Sequence, residues 1–175
     1  MRFIDLSAPI TADSEPLPDL LRTEVEYSDH AEGAAAIETM FGVGPEFLRD
    51  GEGWAVETFL RFGTHNSTHV DAPWHYNSQI GGEPAKTIDQ LPLEWFQAPG
   101  VVLDFSAKED GDAVAEAELE AELARIGHEL APLDIVLVRT GRDAFYGQPD
   151  FTVSCFPLRL VGASAAPARV VAILD

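Results

Sequence analysis

Cysteine is all but missing from this chain: Cys155 stands alone, so no internal disulfide can form and the cytoplasm is the expected compartment. Basic residues are also few. Eleven Lys and Arg stand against thirty Asp and Glu, a formal net charge of −19. Nucleic acid and anionic membrane surfaces would be repelled, which removes both from the partners to consider. No apolar run approaches the ~20 residues of a membrane span. The opening MRFIDLS lacks the apolar core of a signal peptide. Histidine stops at His128 and glutamate at Glu129. The remainder is ordinary, since 46% hydrophobic and 23% charged residues fit a globular protein. With 175 residues, one domain spanning 1–175 is the simplest organisation.

The histidines are not spread evenly. Three of the five (His65, His69 and His75) fall between Phe62 and Tyr76, in FGTHNSTHVDAPWHY, together with Asp71. Imidazole nitrogen with carboxylate oxygen is the donor set that suits Zn²⁺ and related divalent ions. Asn66, Ser67 and Thr68 are poor helix-interior residues, and Pro73 follows closely. The stretch is therefore expected on a loop or a single broken turn leaving a strand. There His69 and Asp71, two apart, point to one side. One histidine in a polar loop is usually a surface residue, but three with an aspartate in this span favour a metal.

HNSTHVDAPWH resembles the HxGTHxDxPxH signature of the cyclase family of metal-dependent hydrolases, which includes bacterial kynurenine formamidase and isatin hydrolase. Ser67 stands where the signature has glycine. IDLSAPI is similar to the family's opening strand, and TIDQLPLEWF, GVVLDF and IVLVRTGRD are similar to its later segments. The likeness runs from residue 1 to about 150. It implies an α/β fold of swivelling β/β/α type, with a mixed or barrel-like sheet and flanking helices. It also implies Zn²⁺ or Mn²⁺ held by His65, His69 and Asp71, with His75 passing a proton to the leaving group. The implied reaction is hydrolysis of an amide, lactam or ester bond of a small molecule by metal-activated water, as in an arylformamidase of tryptophan catabolism. Trp74 either walls a pocket for an aromatic substrate or simply packs. A homo-oligomer, dimer or tetramer, is implied as well. The alternative is a family member that binds metal or assembles without turnover.

In chain order, Arg2 to Ser7 is expected as a strand stopped by Pro9, and Thr11 to Gly53 as a weakly patterned arm with a short helix over 34–40. His30 within it is assigned no role. Trp54 to Phe62 alternates as a strand delivering the motif. The apolar group Ile88, Leu91, Leu93, Trp95 and Phe96 is expected as a turn packed on the core. Gly100 to Phe105 and Asp134 to Thr140 are expected as buried parallel strands. Between them lies a helix capped by Asp112, ended by Gly127 and buried through Leu119, Leu123, Ile126 and Leu130. Glu116, Glu118, Glu120 and Glu122 are its solvated side, and His128 favours the helix dipole. Arg139 and Arg142 are left outside the site.

The tail from about residue 150 is atypical. Family members carry a second metal-binding segment there with a histidine and a glutamate, and this chain has neither. Two readings stand open: a truncated or frame-shifted member, or a short variant whose Val170–Leu174 strand closes the sheet. On the first, low stability and exposed apolar surface are expected at Val101–Phe105 and Ile135–Val138, with one ion at most tightly held.

Overall fold

The computed structural model describes residues 2–12, 22–109, 111–140 and 151–174. The elements begin with β1 (Arg2–Asp5), β2 (Glu24–Ser28), α1 (His30–Phe41), β3 (Val56–Arg61), β4 (His69–Asp71) and α2 (Pro73–Tyr76). After these come β5 (Gln79–Ile80), β6 (Glu83–Pro84), β7 (Gln97–Asp104), α3 (Glu116–Ile126) and β8 (Ile135–Arg139). The chain closes with β9 (Phe151–Ser154), β10 (Ala165–Pro167) and β11 (Val171–Leu174). Residues group into two compact units, Met1–Ala8 with Ser67–Asp175, and Pro9–Asn66.

The first unit is a mixed α/β fold on a five-stranded sheet of order β1-β11-β9-β7-β8. The α3 crossover makes β7 and β8 parallel, with Gly100 opposite Ile135 and Asp104 opposite Arg139. The other pairings in this sheet are antiparallel. Arg139 Nη1 donates to Asp104 Oδ2 at 2.9 Å, a structural role, while Arg142 lies outside the described residues. Leu103 and Val153 are about 1% exposed, and Ala98, Val101, Ala172 and Leu174 are buried with them.

The tail supplies β9 and β11, two interior strands of this sheet. The expectation of exposed surface at Val101–Phe105 is therefore corrected: Val101 and Leu103 are buried. On β8 only alternate side chains, Val136 and Val138, are exposed. The expected Val170–Leu174 strand is found as β11, which pairs with both β1 and β9.

Gly127 ends α3 in the left-handed region, φ 69°, as glycine can without a Cβ penalty. The start differs from the expected Asp112 cap. Ala115 is the cap residue, and its N–H donates to Glu118 Oε2 at 2.8 Å. Asp112, three positions farther out, is too remote to cap the helix, and Ala115 has no side-chain acceptor to do so. Leu119 and Leu123 are half-buried, while Ile126 and Leu130 are exposed, so the buried stripe is shorter than its periodicity suggests. Glu116 and Glu120 are solvated as expected, but Glu118 pairs with Lys108 and Glu122 with Arg125, both at 2.6 Å, and Glu122 is turned inward, where it also accepts from Asp104 N–H.

His128 reaches past the helix end to Asp134, Nε2 to Oδ2 at 2.9 Å, and the same oxygen accepts from Ala131 N–H. The Ala131 N–H first, and His128 second, hold the Asp134 carboxyl below the ordinary carboxylate range. Arg169 does the same for Asp5. Hydrogen bonds from Ser106 do so for Asp104. In each case the unfolded chain binds more protons than the folded one at acid pH. Stability from these groups is present above the ordinary carboxylate range and is lost as pH falls through it. Denaturant midpoints measured from pH 7 down to pH 3 should therefore drop. An unchanged midpoint across that interval would contradict these assignments.

In the second unit, α1 is longer than the expected 34–40 because its start is doubly capped. Asp29 Oδ1 accepts from Ala31 and Glu32 N–H, and Glu32 Oε2 accepts from Asp29 N–H. Gly42, φ 68°, ends it. His30 is exposed. A Cβ on Gly33 would lie 2.0 Å from the Trp54 carbonyl, so only glycine lets the chain pass there. The antiparallel pairing of β2 with β3 was not foreseen, because β2 sits in the arm read as irregular.

Candidate metal centre

The chain reaches the motif from β3 through a turn that Asn66 N–H closes on the Gly63 carbonyl at 2.9 Å. Asn66 is buried, with Nδ2 donating to Thr23 Oγ1. Ser67 follows at φ 56°, a conformation that costs an L side chain roughly 1–2 kcal/mol and glycine almost nothing. Glycine, which the signature has here, would adopt this conformation without that cost. Ser67 holds the geometry with its hydroxyl donating to the Ala8 carbonyl at 3.1 Å. Next to it Thr68 Oγ1 accepts from Ala8 N–H at 2.9 Å.

β4 then carries His69 and Asp71 on one side of a strand, as their spacing of two predicts. Its partner is β10, from the tail: Pro167 lies opposite His69, Ala166 opposite Val70 and Ala165 opposite Asp71. Ala72 N–H donates to the Ser164 carbonyl at 2.8 Å. Ala72, Ala165 and Ala166 are fully buried, and Ile88 joins Ala72 and Ala166 in one packed cluster. Enlarging this contact should disturb the ligand strand. Ala166→Leu is expected to cost ~1–3 kcal/mol by overpacking and to weaken Zn²⁺ uptake with it. Unfolding and Zn²⁺ titration on the same sample check this. Wild-type values in both would mean that the cluster has room to spare.

His65, His69 and Asp71 each present one ligand atom, and the three atoms lie within 4.8 Å of one another. All three side chains are half-buried. His69 Nε2 and Asp71 Oδ1 are 3.3 Å apart. Two donors on a tetrahedral Zn²⁺ with bonds of about 2.0–2.1 Å stand roughly 3.4 Å apart. His69 Nδ1 is 2.8 Å from the Ser67 carbonyl, an oxygen that can only accept. In the neutral ring the proton is then on Nδ1, and the Nε2 lone pair is turned to the cluster. The donor set and its orientation fit a divalent cation.

Tyr76 was not anticipated. Pro73 opens α2, a single turn that brings residue 76 back over residue 71, and Tyr76 Oη donates to Asp71 Oδ2 at 2.7 Å. The one signal available was Pro73 at the first helical position. That bond, together with the nearby carboxylate charge, raises the Tyr76 pKa and keeps the phenol a donor. His75 is exposed on the same turn, with its ring edge-on to Tyr76 at 4.9 Å between centroids. It is not one of the three clustered ligand residues. Trp74 is 47% exposed and does not line the cavity described next.

A cavity of about 410 Å³ adjoins Asp71 and Tyr76 and is otherwise walled by apolar groups that include Leu91, Trp95, Phe96 and Cys155. The apolar group read as a plain turn packed on the core thus also walls this space. Burial pushes the Cys155 thiol up, the opposite of what a nucleophilic cysteine needs. Among the described residues no helix is long and apolar enough to cross a membrane.

The fold is similar to that of a novel cyclase, with TM-score 0.71 and 16% identity over 99% of this chain and 88% of that one. It is similar to isatin hydrolase A from Ralstonia solanacearum, with TM-score 0.65 and 18% identity over 99% and 92%. A third likeness is to a potential metal-dependent hydrolase with cyclase activity, with TM-score 0.51 and 18% identity over 98% and 96%. No curated protein matches. A family model described as "Putative cyclase" matches residues 4–172. The match takes in the ligand strand and the tail strand paired with it, and the chain belongs to the cyclase family.

Proposed function

We propose that this chain is a metal-dependent hydrolase that cleaves an amide, lactam or ester bond of a small molecule. The observation that carries the reading is the convergence of His65, His69 and Asp71 within 4.8 Å on a cyclase-family chain. A divalent ion there, Zn²⁺ or Mn²⁺, supplies Lewis acidity and an activated water at neutral pH. His65, His69 and Asp71 would hold the ion, three being the number of protein ligands that catalytic sites commonly use. His75, four residues past Asp71, hands a proton to the leaving group, since an imidazole can take up and release one. The apolar cavity beside Asp71 receives the carbon skeleton of the substrate, with Trp95 and Phe96 suited to an aromatic ring, as in an arylformamide or an isatin-like lactam.

Metal-loaded protein assayed with N-formylkynurenine, isatin and simple lactones tests this. Turnover of at least one is expected, and His75→Ala should lower it by ~10²–10⁴-fold while metal stays bound. Bound metal with no turnover of any of them would favour a metal-binding or assembly protein instead.

A further inference from the structure

We infer that Tyr76 is a positioning residue for the metal centre: its hydroxyl pins one oxygen of Asp71 so that the other faces His69. The inference rests on the metal-binding reading of His65, His69 and Asp71. The terminal torsion of an aspartate is broad and roughly two-fold, so an unrestrained carboxylate offers either oxygen to its surroundings. Here Oδ2 accepts from Tyr76 Oη at 2.7 Å, and Oδ1 lies 3.3 Å from His69 Nε2. The pinning group is not held there by burial of its ring, because Tyr76 is 76% exposed. What fixes it is local. Pro73 starts α2, Asn77 N–H closes it on the Pro73 carbonyl, and the His75 ring stands against the Tyr76 ring. His69 has a matching restraint in the Ser67 carbonyl, so both ligands of β4 are oriented by a partner within five residues. Outer partners of this kind set ligand orientation and are worth about 10–100-fold in metal affinity.

The test compares Zn²⁺ affinity, measured by competition with a chromophoric chelator, in the wild type, Tyr76→Phe, Asp71→Ala and the double variant. Phenylalanine keeps the exposed ring and removes only the hydroxyl. Tyr76→Phe is expected to bind Zn²⁺ about 10–100-fold more weakly, with the unfolding midpoint of the metal-free protein unchanged. The absorption spectrum of the Co²⁺-loaded variant should shift, because the carboxylate is no longer fixed. On the Asp71→Ala background the same change should have no further effect, since the residue acts through Asp71. Wild-type affinity in Tyr76→Phe, alongside weakened Asp71→Ala, would overturn the inference and leave the metal centre standing. A full loss on the Asp71→Ala background, or a loss matched by a fall in metal-free stability, would also overturn it. Wild-type affinity in Asp71→Ala itself would remove the metal reading and this inference with it.

Discussion

Alanine at His65 or at His69 is expected to abolish tight Zn²⁺ binding, with affinity falling by more than ~100-fold, beyond the range of losses seen for outer partners. A catalytic ion is commonly held by three protein ligands, and two rarely retain it. The two histidines should behave alike for different reasons. His65 lies in the turn that Asn66 N–H closes on the Gly63 carbonyl, outside β4, and its replacement removes one donor. His69 sits on β4 itself, with its ring held by the Ser67 carbonyl, so its loss removes a donor that is already oriented. Both side chains are half-buried, and the metal-free fold should tolerate either change. Dialysis against Zn²⁺ followed by elemental analysis reads the outcome. Unchanged stoichiometry in both variants would refute the ligand assignment.

Leu103→Ala should be the most damaging single change to the fold. Leu103 is about 1% exposed on β7, opposite Val138 of the parallel strand β8. Its truncation removes buried methyl groups and leaves a cavity, which together typically cost ~2–5 kcal/mol. The margin of a domain is only ~5–15 kcal/mol, so a third of it is at stake in a middling case. At this chain length the unfolding midpoint should fall by roughly 4–20 °C. Val138, on the neighbouring strand, is 48% exposed and supplies the comparison. Val138→Ala should shift the midpoint far less. Equal shifts in the two variants would mean that the sheet does not bury β7 as described.

The comparison of Leu103 with Val138 also marks how far sequence reading reaches. GVVLDF and DIVLVRT are both apolar runs, and both were expected to be buried. Strand identity and parallel pairing were legible from the runs and the helix between them. Which strand lies inside the sheet depends on long-range partners, and β9 and β11 come from the segment that seemed least typical. ASAAPA lies in the tail read as atypical. In the fold Ala165 and Ala166 are the close-packed strand that holds His69 and Asp71 in register. Nothing local announces that, because alanine carries no periodic signal and its value lies in what it lets approach.

The ligand residues were legible for the opposite reason. Donor chemistry is a property of residue type, and a spacing of two on a strand fixes a common side. Ser67 in place of glycine was visible as a departure, and its φ of 56° explains what the departure involves. Tyr76 was not legible, since a hydroxyl five residues beyond Asp71 reaches back only when Pro73 starts a single turn. The β2–β3 pairing escaped for want of pattern. Its β3 half was expected as a strand, but β2 was not, because EVEYS lies in the acidic arm read as irregular.

The proposed function stands on one divalent ion held by His65, His69 and Asp71. Elemental analysis of protein purified without chelator, followed by titration of the stripped protein with Zn²⁺ and Mn²⁺, tests it most directly. About one tightly bound ion per chain is expected, restored by titration after stripping. A protein that carries no divalent metal and takes up neither ion would contradict it.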